Sequence, residues 1–336
     1  YKMEAKKKIR YLVSLMMILI MVGLAEWTGE KEILFPEMTA LIVGLLIIDK
    51  RVWNVSRWQI ILLMSLGAVA GICIVRYSPL YYVINLCLAF AFAGACLLMS
   101  RATLIPLISA CVLPVLLHTE SVIYPIAVFS MSTMVVAVQI IMERCGIRSR
   151  IPENSSVKPG KRELFRWFSL LCFVGLISMF AVSTDYPYMI LPPLMVTFAE
   201  MVNSKAGFRN RPTQVFLFLT TAATLGTVFQ IIGYRHLHLP ATVIALCIAA
   251  SLFFIFEWTG KYFAPAGALA FIPMLLPEEG LAWLPLQASI GAALFITIAM
   301  VVFQKCYQWS RAQIIFCATP TLLREYMNRR KRKQQS

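Results

Sequence analysis

Lys261-Tyr-Phe-Ala-Pro-Ala-Gly-Ala-Leu-Ala-Phe-Ile-Pro-Met-Leu-Leu-Pro-Glu-Glu279 is a short apolar stretch punctuated by prolines. Pro265 stands where a helix opens, a position that needs no amide hydrogen, whereas Pro273 in the middle removes a backbone bond. The stretch has a counterpart. Residues 101–120 read Arg101-Ala-Thr-Leu-Ile-Pro-Leu-Ile-Ser-Ala-Cys-Val-Leu-Pro-Val-Leu-Leu-His-Thr-Glu120, and Pro106, Pro114 and Glu120 recur 159 positions later as Pro265, Pro273 and Glu279. Two short, interrupted helices in corresponding places are predicted.

Composition fixes their setting. A chain of 336 residues that is 60% hydrophobic and 14% charged, with mean hydropathy +0.75, is too apolar to hide its surface in one soluble core. Backbone polar groups have no water to bond in hydrocarbon, so long apolar runs between short polar loops read as transmembrane helices. The nine cysteines lie mostly inside these runs without paired spacing. They read as reduced, small hydrophobes, and neither a disulfide framework nor a zinc site is expected.

Working outward along the chain, Lys6, Lys7, Lys8 and Arg10 precede an apolar run from Tyr11 to Ala25. It ends in Glu26-Trp27 rather than at a small-residue cleavage site, which favours a retained helix over a signal peptide. Runs follow from Ile33 to Ile48, Gln59 to Val75 and Tyr82 to Leu98, then the short helix at Pro106 and a run from Ile123 to Met142. Past a basic linker the order recurs: Trp167 to Val182, Met189 to Val202, Gln214 to Ile232, Pro240 to Phe256, the short helix at Pro265, and Trp283 to Phe303. Pro36 matches Pro192, and Gln59 and Gly71 match Gln214 and Gly226 at a spacing of 155. The expected organisation is a first repeat over 1–143, a cytoplasmic linker over 144–166, a second repeat over 167–304 and an amphipathic, basic tail over 305–336.

Charge gives the topology. If all six runs in each half span, every one of the 31 lysines and arginines except Lys31, Arg76 and Arg235 falls on one side. The positive-inside rule makes that side cytoplasmic, with both termini on it, in a multi-pass protein of the inner (plasma) membrane. Six is even, so the two halves enter with the same orientation and are related by an axis along the membrane normal. The predicted fold class is an all-α, polytopic transmembrane bundle of two parallel six-helix repeats. The short helices, at about 13 to 16 apolar residues, fall below the roughly 20 needed to span.

The same loops account for the formal charge of +15, so nucleic acid is not an expected partner. The expected partners are a bilayer with anionic headgroups and a small anion or organic acid, with room for a homo-oligomer. The cluster Arg329 to Lys333 suits headgroups, at about 1 kcal/mol per basic residue near the surface, and Gln313 to Tyr326 could lie on that surface. Asn54 and Asn154 sit in glycosylation patterns on the inner side and are discounted.

Soluble-enzyme signals are missing: no phosphate-cradling Gly-rich loop, no metal-ligand spacing, and no Ser, His and carboxylate set. His118, His236 and His238 fall in outer loops and read as solvated. Neither an enzyme nor a cofactor is expected.

Duplicated halves with Pro-broken helices in matching positions point to a binding site between repeats. A helix beginning inside the protein exposes amide hydrogens and a positive dipole end, which suits an anion. Pro106 and Pro265 open helices from the cytoplasmic side; Pro36 and Pro192 open them from the outer side. If the two kinds meet toward mid-membrane, their starts converge on a cavity. Against this stands simple kinking and close packing through small residues such as Gly267; both readings stay open. Arg101, Thr103, Lys261 and Tyr262 precede the short helices and either bind the anion or anchor their loops. Glu37, Glu200 and Glu257 lie within or at the ends of apolar runs, and an intramembrane carboxylate is a functional candidate. Glu200, inside its run, is the foremost proton carrier or partner for Arg209 or Arg211; Glu37 and Glu257 read as interfacial, with Glu37 a second candidate for proton coupling.

From Met189 to Phe303 the chain resembles the HPP family of integral membrane proteins, named for a His-Pro-Pro motif that continues Ala-Gly-Ala. Here the motif reads Phe263-Ala264-Pro265-Ala266-Gly267-Ala268, and Arg211-Pro212-Thr213-Gln214-Val215 echoes an upstream element. The His and the first Pro are absent, so no role of that His carries over. The resemblance implies transport of nitrite or a similar anion. The short Pro-opened helix, basic loop and Gly-containing third helix are also similar to the membrane part of fusaric-acid-resistance-type aromatic acid exporters, which implies a wider, more aromatic cavity. The expectation is a transporter or channel for a small, nitrite-like anion; the alternatives are an exporter of organic or aromatic acids and a non-transporting membrane scaffold or lipid-binding protein.

Overall fold

The structure, a computed structural model, describes residues 2–149, 160–203 and 211–303, and these are all-helical and loop, with no strand. Among the described residues eight helices are long and apolar enough to cross a membrane: α1 (Lys2–Thr28), α3 (Arg57–Tyr77), α4 (Tyr82–Ser100), α6 (Ile123–Arg144), α7 (Lys161–Ser183), α9 (Pro212–Gln230, prolonged by a π turn to His236), α10 (Ala241–Thr259) and α12 (Leu284–Val302). The chain is a multi-pass membrane protein. The outward faces of these helices are themselves apolar, with Leu62, Phe129, Leu176 and Phe254 exposed, as lipid requires and water would not tolerate over so wide a surface.

Four helices are too short to span. They are α2 (Pro36–Ile42, running into a π turn at Val43–Ile47), α5 (Leu107–Leu117), α8 (Pro192–Asn203) and α11 (Ala264–Phe271, closed by a 3-10 turn at Ile272–Met274). Twelve helical residues rise about 18 Å, against a hydrocarbon core of about 30 Å. Apolar on every side, a helix of this kind belongs in the centre. All of α2 and α11, Pro192–Val202 of α8 and Leu107–Val115 of α5 are buried. All twelve expected runs are helical, but in four of them the helix itself is buried and shorter than a span.

Other boundaries differ in detail. Pro273 does not sit mid-helix: α11 ends at Phe271 and the proline occupies the 3-10 turn, whereas Pro114 lies inside α5. Helix α7 begins at Lys161, six residues before the expected Trp167, because polar residues extend it beyond the apolar run. Arg209, Asn154, linker residues 150–159 and the basic tail lie outside the described residues.

Helix pairing follows one scheme. Helix α3 packs on α5 and α6, and α9 on α11 and α12. Helix α1 lies on α10 and α4 on α7; α2 lies on α11 and α5 on α8. Glycines set the closest approaches. A Cβ on Gly71 of α3 would stand 2.5 Å from the Cys111 carbonyl oxygen and 3.0 Å from Pro114 Cγ; one on Gly226 of α9 would overlap the Ala270 carbonyl oxygen and stand 3.1 Å from Pro273 Cγ. In both places a glycine faces a carbonyl three residues before the second proline of a short helix.

The ends of the elements are tied down. Ser56 and Gln59 form a reciprocal capping box at the start of α3. The Glu26 carboxylate, at the end of α1, accepts from Ala241 N and Thr242 N at 3.0 Å each, capping α10. Arg10, buried, donates to the carbonyls of Leu46 (2.7 Å) and Ile47 and to Asp49 (2.5 Å), and Arg148 donates to Ile48 O at 3.0 Å. Two guanidinium groups thus satisfy the orphan carbonyls and negative dipole end of α2.

Candidate functional site

The embedded helices start deep in the bundle. Gly67, ten residues into α3, faces the Leu107 carbonyl oxygen, so α5 begins about 15 Å inward from the start of α3. Residues 104–106 descend to that depth as buried chain. Helix α2 enters from the opposite direction, its start held by Phe35 N donating to Met21 Sδ at 3.4 Å. The two starts meet. Ser109 Oγ, on the third residue of α5, donates to Glu37 Oε1, on the second residue of α2.

Glu37 is therefore not interfacial, as its place at the edge of an apolar run suggested; it is 1% exposed. Its other carboxylate oxygen has no hydrogen-bond partner among the described residues, nor has the Thr39 hydroxyl two residues on. Tyr124 packs beside it, its ring edge-on to Phe35 at 6.1 Å and its hydroxyl donating to Ala110 O at 3.0 Å.

Glu200 is 3% exposed near the end of α8. Among the described residues its partner is Trp53 rather than Arg211: Trp53 Nε1 donates to Glu200 Oε1 at 3.1 Å, and Oε2 lacks a partner there; Arg209, the other arginine expected of it, lies outside the described residues. The Trp53 ring is seated against Gly44, where any Cβ would overlap it. Trp53 also walls a cavity of about 890 Å³ between α3, α6 and the end of α2, lined in addition by Arg51, Arg57, Glu143 and Arg148.

No protein-family model, curated protein or solved structure matches the chain. The site therefore stands on its own geometry.

The residues expected at the short-helix starts divide into three groups. Pro265 and Gly267 are buried in packing, Gly267 with its Cα face 3.2 Å, at Cβ distance, from Thr39 Cγ2 of α2. Pro106 is buried as the N-cap of α5. Arg101 is exposed and left-handed (φ 54°), ending α4, and Thr103 Oγ1 accepts from Asn54 N at 2.7 Å, tying two loops together. Tyr262 engages the ion pair of Glu257 with Lys7: Lys7 Nζ lies 2.5 Å from Glu257 Oε1, and the Tyr262 hydroxyl donates to Oε2 at 3.4 Å. Glu257 is exposed. Lys261, half-buried ahead of α11, has its pKa lowered first by burial and then by the neighbouring Arg211 cation, so an anion there would relieve both.

Ser109, Trp53, Arg10 and Arg148 were not singled out from the sequence. Ser109 carried a signal: among Leu107–Leu117 it is the one side chain with a hydroxyl. Arg10 and Arg148 carried no signal of their own, because charge alone does not tell a solvated arginine from one bent back onto a helix end. Among the described residues there is no His, Cys, Asp and Glu group able to hold a metal.

Proposed function

We propose that this protein is a proton-coupled membrane transporter for a small anion of the nitrite class, built from two parallel six-helix repeats. The observation that carries the reading is Glu37, a buried carboxyl group where the starts of α2 and α5 meet, bonded through one oxygen and without a partner at the other among the described residues. An ionised carboxylate in that setting is costly. Two converging helix starts supply a positive field that an anion, or Glu37 in its ionised state, would share. Protonation of Glu37 vacates that field for the substrate, and this exchange is the proposed coupling step.

The pairing scheme supports the repeats. Exchanging the halves turns α1 on α10 into α7 on α4, and α2 on α11 into α8 on α5. Gly44 and Glu200 stand 156 residues apart, the spacing of Pro36 and Pro192, and both touch the Trp53 ring. The positions matching Glu37 and Ser109 are Pro193 and Ala268, so the carboxyl is built into one half only. Lys261 and Arg211 at the approach to α11 are the proposed collecting charges.

Uptake of a panel of small anions into proteoliposomes tests the reading. Nitrite or a related anion should enter when the interior is made alkaline, with Lys261→Ala slowing entry while the protein remains folded. If no small anion moves under any gradient, the reading fails. An exporter of organic or aromatic acids is the second reading; Trp53 and Trp58 on the wall of the 890 Å³ cavity favour it, and aromatic carboxylates in the same panel distinguish the two.

A further inference from the structure

The cavity between α3, α6 and the end of α2 is not used by the coupling step, and its lining is divided along its length. One end holds Arg51, Arg57, Arg148 and Glu143; the other is apolar, with Ile60, Ile61, Val136 and Ile140. From Glu143 to Thr133 the α6 wall covers ten residues, about 15 Å, and Thr133 and Ala137 on that wall are exposed on the outside of the bundle. The cavity thus opens sideways, where lipid lies. At the polar end Trp58 is 82% exposed, the position of an aromatic residue at the headgroup boundary.

The polar end is short of an anion. Glu143 is already satisfied, accepting from Arg57 and from Gln139 Nε2 at 2.9 Å. Arg51 is turned onto the carbonyls of Trp53 (3.0 Å) and Val55 (2.7 Å). Arg148 is 6% exposed, gives Nη2 to Ile48 O, and has no partner for Nη1 among the described residues. A buried cationic donor without an acceptor is costly. Burial, and then the Arg10 charge, push its pKa down to about 10, the direction in which a counter-anion would act in opposition. Ser56, Arg57 and Trp58 at the start of α3 line the same end.

We propose that this cavity is a specific site for one anionic phospholipid, its phosphate on Arg148 Nη1 and the start of α3, and one acyl chain running along the groove between α3 and α6. A cavity of about 890 Å³ is of the size that takes a headgroup and part of a chain. Neither Glu37 nor Glu200 lines the cavity, although Trp53 on its wall bonds Glu200, and the proposal does not depend on the transport reading.

Native mass spectrometry of the purified full chain, titrated with phosphatidylglycerol or phosphatidylcholine of the same chains, tests it. Phosphatidylglycerol should bind at least tenfold more tightly, Arg148→Gln should remove most of that preference, and Ala137→Trp, which fills the groove from an exposed position, should block binding of either lipid. If Arg148→Gln does not fold, Ala137→Trp decides alone. Equal affinity for the two lipids, or unchanged phosphatidylglycerol binding in the folded variants, overturns the proposal. So does displacement of the lipid by glycerol 3-phosphate, or by an aromatic carboxylate, at comparable concentration, since the site would then belong to a soluble anion.

Discussion

Trp53 Nε1 donates to Glu200 Oε1 at 3.1 Å, across 147 positions of chain. The same indole abuts Gly44, so one ring joins the end of α2 to the end of α8. Replacing it leaves a buried carboxyl without its donor. Trp53→Phe should lower stability by about 1–3 kcal/mol, the cost of an unsatisfied buried polar group, and Glu200→Leu in that background should recover part of the loss. Thermal unfolding in detergent of the two single variants and the double variant checks this; strictly additive effects would mean that the bond contributes nothing.

Gly44 makes room for that ring. A methyl group at this position would overlap the six-membered edge of Trp53, and the indole cannot retreat without leaving Glu200. Gly44→Ala should cost about 1–3 kcal/mol as overpacking and open the Trp53 environment to water, read as a red shift of its fluorescence in a variant whose other tryptophans are replaced.

A Cβ on Gly71 or Gly226 would meet backbone oxygens, Cys111 O at 2.5 Å and Ala270 O, whereas one on Gly67 would meet chiefly the flexible tip of Leu107 at 2.6 Å. Backbone cannot step aside as a side chain can. Gly71→Ala and Gly226→Ala should each destabilise by roughly 2 kcal/mol or more, and Gly67→Ala by less. Melting temperatures of the three variants in one detergent give the order.

Arg10 bonds two carbonyls at the end of α2 and Asp49 at once. A lysine carries the charge but not the planar fork. Arg10→Lys should therefore fail to restore what Arg10→Gln loses, about 2–4 kcal/mol in each case; a wild-type melting temperature for Arg10→Lys would show that charge alone is required.

Lys261 has a lowered pKa, so at any pH below that of an ordinary lysine more of it is the neutral, nucleophilic amine. Its acylation at about pH 9 should outpace that of exposed lysines. A bound anion would raise the pKa and slow the reaction, and peptide mapping with and without nitrite reads the difference.

These relationships mark how far the sequence carries. The apolar runs and the prolines located all twelve helices, because proline and apolar period act locally, whereas the close approaches at Gly71 and Gly226 needed the packed structure to be seen. The burial of Glu37 was not legible: its neighbours in the chain are an interfacial-looking Phe35-Pro36, and its partner Ser109 lies 72 positions away. Trp53 and Glu200 were separated still further. Arg101 illustrates the converse. It was a candidate for the substrate, and its position is accounted for by a left-handed turn that ends α4, where the matching residue of the second half, Gly260, also has positive φ.

The most direct measurement compares exchange with accumulation in Glu37→Gln proteoliposomes. The amide keeps the size of the side chain and removes the titrating proton. The account predicts that the variant still equilibrates labelled nitrite across the membrane but no longer concentrates it against a gradient when a proton gradient is imposed. Concentration of the anion at the wild-type level by Glu37→Gln would contradict it.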